Sequence, residues 1–481
     1  MTTISQSGGT IYIRQNVANI EYQSNSTTGA WTTISSWPAT FTNNTPASET
    51  ILTVSLFSNI TVSLSTQTTS GYFITGSNYI TYDGSTSNYT VTISGFTGGY
   101  LGFIQNGTST TDGKHTITVK NIRTALASSS VLDPTNFGGW ICQNYFGKNI
   151  KSAVGYNAAT NLITITNCSN SAIVGGSSGG ICGPYFGYNA DATVTNCFNT
   201  GSATGSSCGG IFGISLGDTG GTVTISNCYN TGNVGANSGG ICAVRAGSNN
   251  GTVTISNCYN TGAISGNGGG GGIAAQQFGY NTNNICSISN CYNIGNIVTT
   301  VTTNTGPGGI CGRGAGNNTA TISYNPIINI TNCYNLGTIS NGTGSPVIGC
   351  SGILGGNPTT ASTRTPTINI TNCYSVNPAS ALSAAITTMT TPAPTQTNCF
   401  SYTTWTDTNS KAALTGTPTS ISSSNPGTTW TTVITNTPYI LTSFNSPIYT
   451  QNVYSNPTLP TYTTIPGSFS SADENDPGIV V

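Results

Sequence analysis

Charge is what this chain most lacks. Of its 481 residues only 4% are Asp, Glu, Lys or Arg, and the net charge is −1; an ordinary soluble protein carries about 25%. So thin and balanced a charge gives nucleic acid or an anionic membrane no electrostatic hold. Histidine occurs once, at His115. No apolar run approaches the ~18 residues of a membrane-crossing helix, so helical membrane insertion is not expected. Stretches rich in Ala, Leu, Glu and Lys are missing too, and with them any helical signal. The opening "MTTISQSGGTIYIRQ" has neither the basic n-region nor the apolar core of a secretion signal. That predicts a protein made in a cytoplasm and not exported by the common route.

What is present is Thr, Ser, Asn and 62 glycines. Low charge with such a composition also suits disorder, but Val, Ile, Tyr and Phe recur in short alternating runs such as "GTVTISN" and "PTINITN". Alternation of that kind is strand-like, and the chain reads as all-β.

The organising feature is a repeat. Asn-Cys occurs at Asn167-Cys168, Asn196-Cys197, Asn227-Cys228, Asn257-Cys258, Asn290-Cys291, Asn332-Cys333, Asn372-Cys373 and Asn398-Cys399. The first five are 29 to 33 residues apart and the later ones 42, 40 and 26. Between them falls a second signature, from "GGWIC" at 138–142 through "GGIC" at 179–182 and 239–242 to "SGIL" at 351–354. Insertions such as "VTTVTTNTGP" lengthen some intervals while both signatures persist, as in a solenoid with loops on one face. About 30 residues of strand and turn make one coil of a three-sided parallel β-helix, expected to be right-handed.

In "TVTISNCYN" this fold points Val223 and Ile225 inward and Thr222, Thr224 and Ser226 outward. Asn227 is read as a corner in the left-handed conformation, which Asn tolerates better than most residues. The corner resets the alternation, so Cys228 turns inward as a small hydrophobe. The candidate structural ladder is therefore Asn167, Asn196, Asn227, Asn257, Asn290, Asn332 and Asn372, hydrogen-bonded from coil to coil, beside Cys168, Cys197, Cys228, Cys258, Cys291, Cys333 and Cys373. Gly-Gly before Ile is read as a second bend at positive φ. The spacing leaves the orientation of the Cys242 position open.

Domain boundaries follow from where the signatures stop. "KHTITVKNI" at 114–122 reads as a rung with Ile122 in the cysteine slot, and the solenoid is placed at 49–400. Residues 1–48, with Trp31 and Trp37, are expected to form an N-terminal β cap over the open coil edge. Residues 401–481, rich in Pro, Thr and Tyr, are expected to be a C-terminal attachment or capping segment.

The residues offer little chemistry. Fifteen cysteines invite zinc or disulfides, but no CxxC pair exists and His115 has no cysteine near it. Equivalent cysteines on stacked coils would sit about 4.8 Å apart, beyond the ~3.5–4.5 Å between Cβ atoms that a disulfide wants. Buried reduced thiols are expected, with no metal and no cofactor. A β-helix enzyme acting on polysaccharide needs paired carboxylates, or an acid with Arg or Lys, on one face. From Ala158 to Tyr402 the only acids are Asp191 and Asp218 and the only bases Arg245, Arg313 and Arg364. The two acids stand at different rung positions, so no catalytic residues are expected.

"NCYNTGNV" with "SGGICA" resembles the GLUG-type repeats of microbial surface adhesins. With "YFITGSNYITYDG", "IQNGTS", "GGWICQNYFGKN" and "NTPYILTSFN", the chain more closely resembles Asn-Cys-Tyr/Gly-Gly-Ile repeat proteins of giant DNA viruses. That resemblance covers roughly residues 70–400. It implies a non-enzymatic structural protein on or cementing the capsid surface, including a fibre or spike role, at the surface of a virion assembled in host cytoplasm. Its partners would be capsid proteins, other copies of itself or host-surface glycans. The alternative is a cell-surface adhesin, and a distant third a carbohydrate-active enzyme.

Overall fold

The structure is a computed structural model. It describes residues 2–402 apart from 64–71, 86, 88, 95–101, 128–137, 266–267, 300–305, 319–323, 342–350, 357–365, 372, 377–393 and 398; beyond 402 it describes only 414–415, 430–431 and 440–441.

The described chain is a parallel β-helix. Its longest ladder is a fourteen-stranded sheet, in which each coil contributes a strand of the Thr222–Ser226 type. Thr222 pairs with Thr252, Val223 with Val253 and Ile225 with Ile255, identical residue on identical residue. Every second side chain points inward: Val223, Ile225, Val253 and Ile255 are fully buried. β-branched residues suit this role, because their stiff side chains pack on a pleated surface. The outward Thr and Ser positions leave a neutral, hydroxyl-rich flank.

Three more parallel ladders complete the coils from Val174 to Ile339. A twelve-stranded sheet carries the Tyr229–Asn230 and Tyr259–Asn260 pairs. A short rung runs Val174, Ala203, Val234, Ile264, Ile297, Ile339. The Gly-Gly-Ile signature forms the last, with Gly179 bridged to Gly209 and Cys182 to Phe212. From Val174 to Ile339 the coil thus has four inter-coil contacts where three were expected, because the short hydrophobic rung pairs on its own; the earlier coils have three.

The N-terminal boundary also differs from the sequence reading. Strands Thr2–Gln6 and Gly9–Asn16 pair in parallel with Ala39–Asn43 and Leu52–Leu56. Coil stacking therefore begins at Thr2, and residues 1–48 are not a separate cap. Only part of them caps: Asn19–Ser24 adds antiparallel to the outer edge of Gly9–Asn16, and Thr32–Thr33 antiparallel to Asn19–Ser24. Arg14 anchors this hairpin, its guanidinium 4.1 Å from the Trp31 ring centre and its Nη2 2.8 Å from Glu21. Trp37 packs inward of the hairpin on Tyr72 and Phe73. The first coils lack both signatures and fill their core with Ile11, Phe41 and Leu52 instead, so the repeat could not be counted there. At the other end Leu414–Thr415 pairs antiparallel with Phe400–Tyr402 and ends the twelve-stranded sheet. The rest of the expected 401–481 segment lies outside the described residues, apart from the pair Trp430–Thr431 and Ile440–Leu441.

The Gly-Gly pairs do not act as positive-φ bends. None of Gly179, Gly180, Gly209, Gly210, Gly239, Gly240, Gly271, Gly272, Gly308 and Gly309 is among the residues of positive φ. Their need for glycine is steric. A Cβ on Gly239 would collide with the Cys242 carbonyl, and one on Gly240 with the Gly272 carbonyl and the Asn260 side chain. Backbone approaches side chain here more closely than any larger residue permits. Gly240→Ala should accordingly cost about 2–3 kcal/mol. Gly155→Ala, at φ 77° with nothing within 4 Å of an added Cβ, should cost only about 1 kcal/mol. Calorimetric melting of the two variants tests the distinction, and equal losses would restore the bend reading.

Candidate functional site

The corner asparagines have the backbone conformation that their spacing suggests. Asn167, Asn196, Asn227, Asn257, Asn290 and Asn332 have φ between 52° and 55°; Asn372 lies outside the described residues. Asn121, before Ile122, has φ 58° and extends the column into the earlier coils. The side chains, however, do not form one continuous ladder. Asn167 donates to Asn121 at 3.3 Å and Asn332 to Asn290 at 3.1 Å. The Oδ1 atoms of Asn196 and Asn257 are buried without a hydrogen-bond partner. These residues are chosen for φ, and their amides meet only in places.

The continuous amide ladder stands three residues further on, at the second Asn of Asn-Cys-Tyr-Asn. Asn170, Asn199, Asn230, Asn260, Asn293 and Asn335 are at most 1% exposed. Each Nδ2 donates to Oδ1 of the next, at 2.8 Å throughout. The second hydrogen of each amide goes to the carbonyl two residues on, as from Asn230 to Gly232 at 2.7 Å and Asn260 to Gly262 at 2.8 Å. Both donors of every ladder amide are therefore satisfied, as burial requires. The Thr124 hydroxyl caps one end by donating to Asn170 at 3.0 Å, and Ser375 stands 3.5 Å from Asn335 at the other. The second glycine of each Gly-Gly pair lies against this file: Gly180 on Asn199, Gly210 on Asn230, Gly240 on Asn260, Gly272 on Asn293, Gly309 on Asn335. That contact explains why the two signatures travel together. Asn230 and its equivalents were visible in the repeat, but nothing in their spacing separated them from turn residues.

Two further files run beside the amides. The rings of Phe198, Tyr229, Tyr259, Tyr292 and Tyr334 stack at 4.8–5.0 Å between centres, within 3–4° of parallel. The thiols of Cys168, Cys197, Cys228, Cys258, Cys291, Cys333 and Cys373 are fully buried. The amide N–H of Cys197 donates to Cys228 Sγ, Cys228 to Cys258 and Cys258 to Cys291, each at 3.4 Å. The second cysteine series also faces inward, with Cys142, Cys182, Cys242 and Cys311 fully buried in one column with Phe212, Ala274 and Leu354. Cys286 occupies the slot of Val253 in the long strand, so its proximity in sequence to Cys291 is no pairing. All fourteen described cysteines are free and buried. Burial pushes the Cys286 thiol up to about 12 and that of Cys208 to about 11. Among the described residues no group of three His, Cys, Asp or Glu side chains is placed to hold a metal.

The described acids each have a neighbour. Asp191 pairs with Lys151 at 2.6 Å and accepts the Tyr156 hydroxyl. Lys151 also donates to the Gly220 carbonyl and the Thr222 hydroxyl. Asp218 accepts from Asn249 and Thr219 at 2.9 and 3.1 Å; burial raises its carboxyl above the usual range against those bonds. Asp83 pairs with Lys120 and Asp112 accepts from Asn149. Glu21 is held low by its hydrogen bonds from Arg14 and Asn16, and Glu49 by one from Ser48.

No protein-family model matches the chain, and neither a curated protein nor a solved structure matches it significantly.

Two outcomes follow from these files. Asn230→Ala orphans the Gly232 carbonyl, Asn260 Oδ1 and Asn199 Nδ2, and should cost about 3 kcal/mol. Asn227→Ala should cost about 1–2 kcal/mol and Asn227→Gly less, since only φ is at issue. Chemical denaturation ranks the three, and an Asn227 loss exceeding that of Asn230 would contradict the assignment. The thiols set an alkaline limit. A free thiol in the unfolded chain ionises near 8.5, so raised folded values contribute stability fully present below that pH. That contribution is lost as pH rises towards 11–12, where Cys208 and Cys286 ionise. Melting temperature should be flat to about pH 8 and fall above it. In native protein at pH 8 alkylating reagents should leave these thiols unmodified, and rapid labelling there would refute their burial.

Proposed function

We propose that this chain is a non-enzymatic structural protein displayed on or cementing the surface of a virus particle, assembled in host cytoplasm. Its partners in that role are capsid proteins or further copies of itself. The observation that carries the reading is the set of three buried files, amide, ring and thiol, that run unbroken from coil to coil. Groups with chemical capability are locked into mutual contacts, and each described carboxylate is engaged by a neighbour. From Thr193 to Thr371 the exterior of the long sheet is uncharged and mostly Thr, Ser and Asn, suited to a durable rod. Reduced, buried thiols suit assembly in a reducing cytoplasm. The described edges at the two ends break the repeat with antiparallel strands.

Quantitative mass spectrometry of purified particles from the source, beside the cell-envelope and secreted fractions, tests this. Enrichment with the capsid proteins is expected. Enrichment in the envelope or secreted fraction would overturn it in favour of a cell-surface adhesin.

A further inference from the structure

Between Gly139 and Gly316 the coils enter the left-handed region chiefly in five columns. Four are filled mostly by residues that tolerate positive φ. One is the corner asparagines, another Ser177, Ser207, Asn237 and Gly268, a third Asn149, Asn189, Thr219, Asn249 and Asn281, and a fourth is glycine throughout, from Gly147 to Gly316. The fifth is different. It runs Tyr145, Tyr185, Ser215, Arg245, Gln277 and Gly314, with φ of 57°, 58°, 57°, 64°, 62° and 70°. Equivalence along the column is set by backbone bonds. Tyr145 donates to Pro184, Tyr185 to Ile214, Ser215 to Val244, Arg245 to Gln276 and Gln277 to Arg313. Gly314 shows that glycine serves the column. Large side chains at positive φ are uncommon, and backbone held against residue preference concentrates where a protein binds or reacts.

The side chains form a strip along the coil axis. The Tyr145 and Tyr185 rings stack at 4.5 Å and 7°. Tyr188 stands 6.0 and 6.4 Å from their centres, and Lys148 Nζ 5.9 Å from Tyr145. The exposed Arg245 guanidinium lies 5.0 Å from the Tyr280 ring and donates through Nε to Gln277 at 2.9 Å. Arg313 donates to Gln276 at 2.7 Å. Charge is concentrated here as well. From Trp140 to Gly356 the charged residues are Lys148, Lys151, Asp191, Asp218, Arg245 and Arg313, all between a Gly-Gly-Ile signature and the second residue of the next long strand. From Trp140 to Gly356 the charged residues thus fall in the same part of the coil as Tyr145, Tyr185, Tyr188 and Tyr280.

We propose that this strip binds a neutral linear glycan laid along the coil axis. Tyrosine offers an apolar body with a polar tip, which suits a sugar ring that has an apolar C–H face and a rim of hydroxyls. Arginine, glutamine and asparagine beside it supply planar donors and acceptors for that rim. From Tyr145 to Gln277 the column climbs four coils, roughly 20 Å at the strand spacing, enough for several sugar rings in line. A protein partner would call for an apolar patch at the centre of its interface. The exposed large hydrophobic residues among those described are Val17, Ile51, Phe57, Val154, Ile173 and Ile285, none of them in the column. Nucleic acid would call for a row of cations without acids among them, whereas Asp191 and Asp218 stand among these. The strip rests on backbone conformation and side-chain placement, independently of the particle assignment.

Positive φ makes the test discriminating. Tyr185→Gly and Arg245→Gly each remove a side chain and relieve the backbone. Binding of chitohexaose, cellohexaose, laminarihexaose and mannohexaose is measured by calorimetry on the full chain and on both variants, beside their melting temperatures. Expected is measurable affinity of the parent for at least one hexasaccharide, lowered tenfold or more in both variants, with melting no lower than the parent. Thr224→Ala, on the long-strand flank, should bind as the parent does. Absence of binding by the parent to all four overturns the proposal, as does unchanged affinity in both glycine variants. Variants that lose melting temperature together with binding also overturn it, because the column would then be packing.

Discussion

The structure depends on one buried hydrogen bond, repeated: the amide of a ladder asparagine donating to its counterpart one coil on. A buried amide has two hydrogens to place, and leaving either unpaired costs about 1–3 kcal/mol. The carbonyl two residues on takes one and the next coil the other. That second bond fixes the coil spacing and the register of the whole rung, because it closes only when equivalent residues lie directly over one another. The glycine opposite must then have no side chain, since Asn260 occupies the space into which a Cβ of Gly240 would project. The tyrosine between cysteine and asparagine is stacked by the same register. Asn-Cys-Tyr-Asn and Gly-Gly-Ile are thus two sides of a single contact.

Legibility in the sequence followed the physics of each position. The long strand was readable because β-branched alternation has one dominant meaning, and the corner because Asn before an out-of-phase Cys asks for a left-handed residue. The inward turn of Cys228 followed from that corner. Asn230 was hidden, because its partners are Asn199 and Asn260 on other coils, and no local property of a buried amide announces them. Gly-Gly misled for a related reason: glycine marks both a special φ and a close approach, and only the neighbouring coil tells them apart. Tyr145, Tyr185 and Arg245 were invisible as left-handed residues because their types argue against that conformation. The start of the solenoid was misplaced because the first coils solve the same packing problem with Ile, Phe and Leu.

Low charge fits this architecture. Coils that stack identical residues would also stack identical charges, one above another at the strand spacing, and like charges so placed repel. Thr, Ser and Asn can be repeated without that penalty. The charged residues that remain stand where successive coils differ in sequence, so that Lys151 meets Asp191 and not another lysine. Repetition itself selects a neutral surface.

The amide file also has a direction. From Asn170 to Asn335 each Nδ2 points to the following coil and each Oδ1 to the preceding one, so the amide dipoles add along the axis. One end of the file presents an acceptor and the other a donor, and the hydroxyls of Thr124 and Ser375 stand at those unlike ends. A rod of this kind is polar in the sense that a filament is polar. Its two ends therefore call for unlike caps, a donor at Asn170 Oδ1 and an acceptor at Asn335 Nδ2, and a hydroxyl serves at either because it can do both.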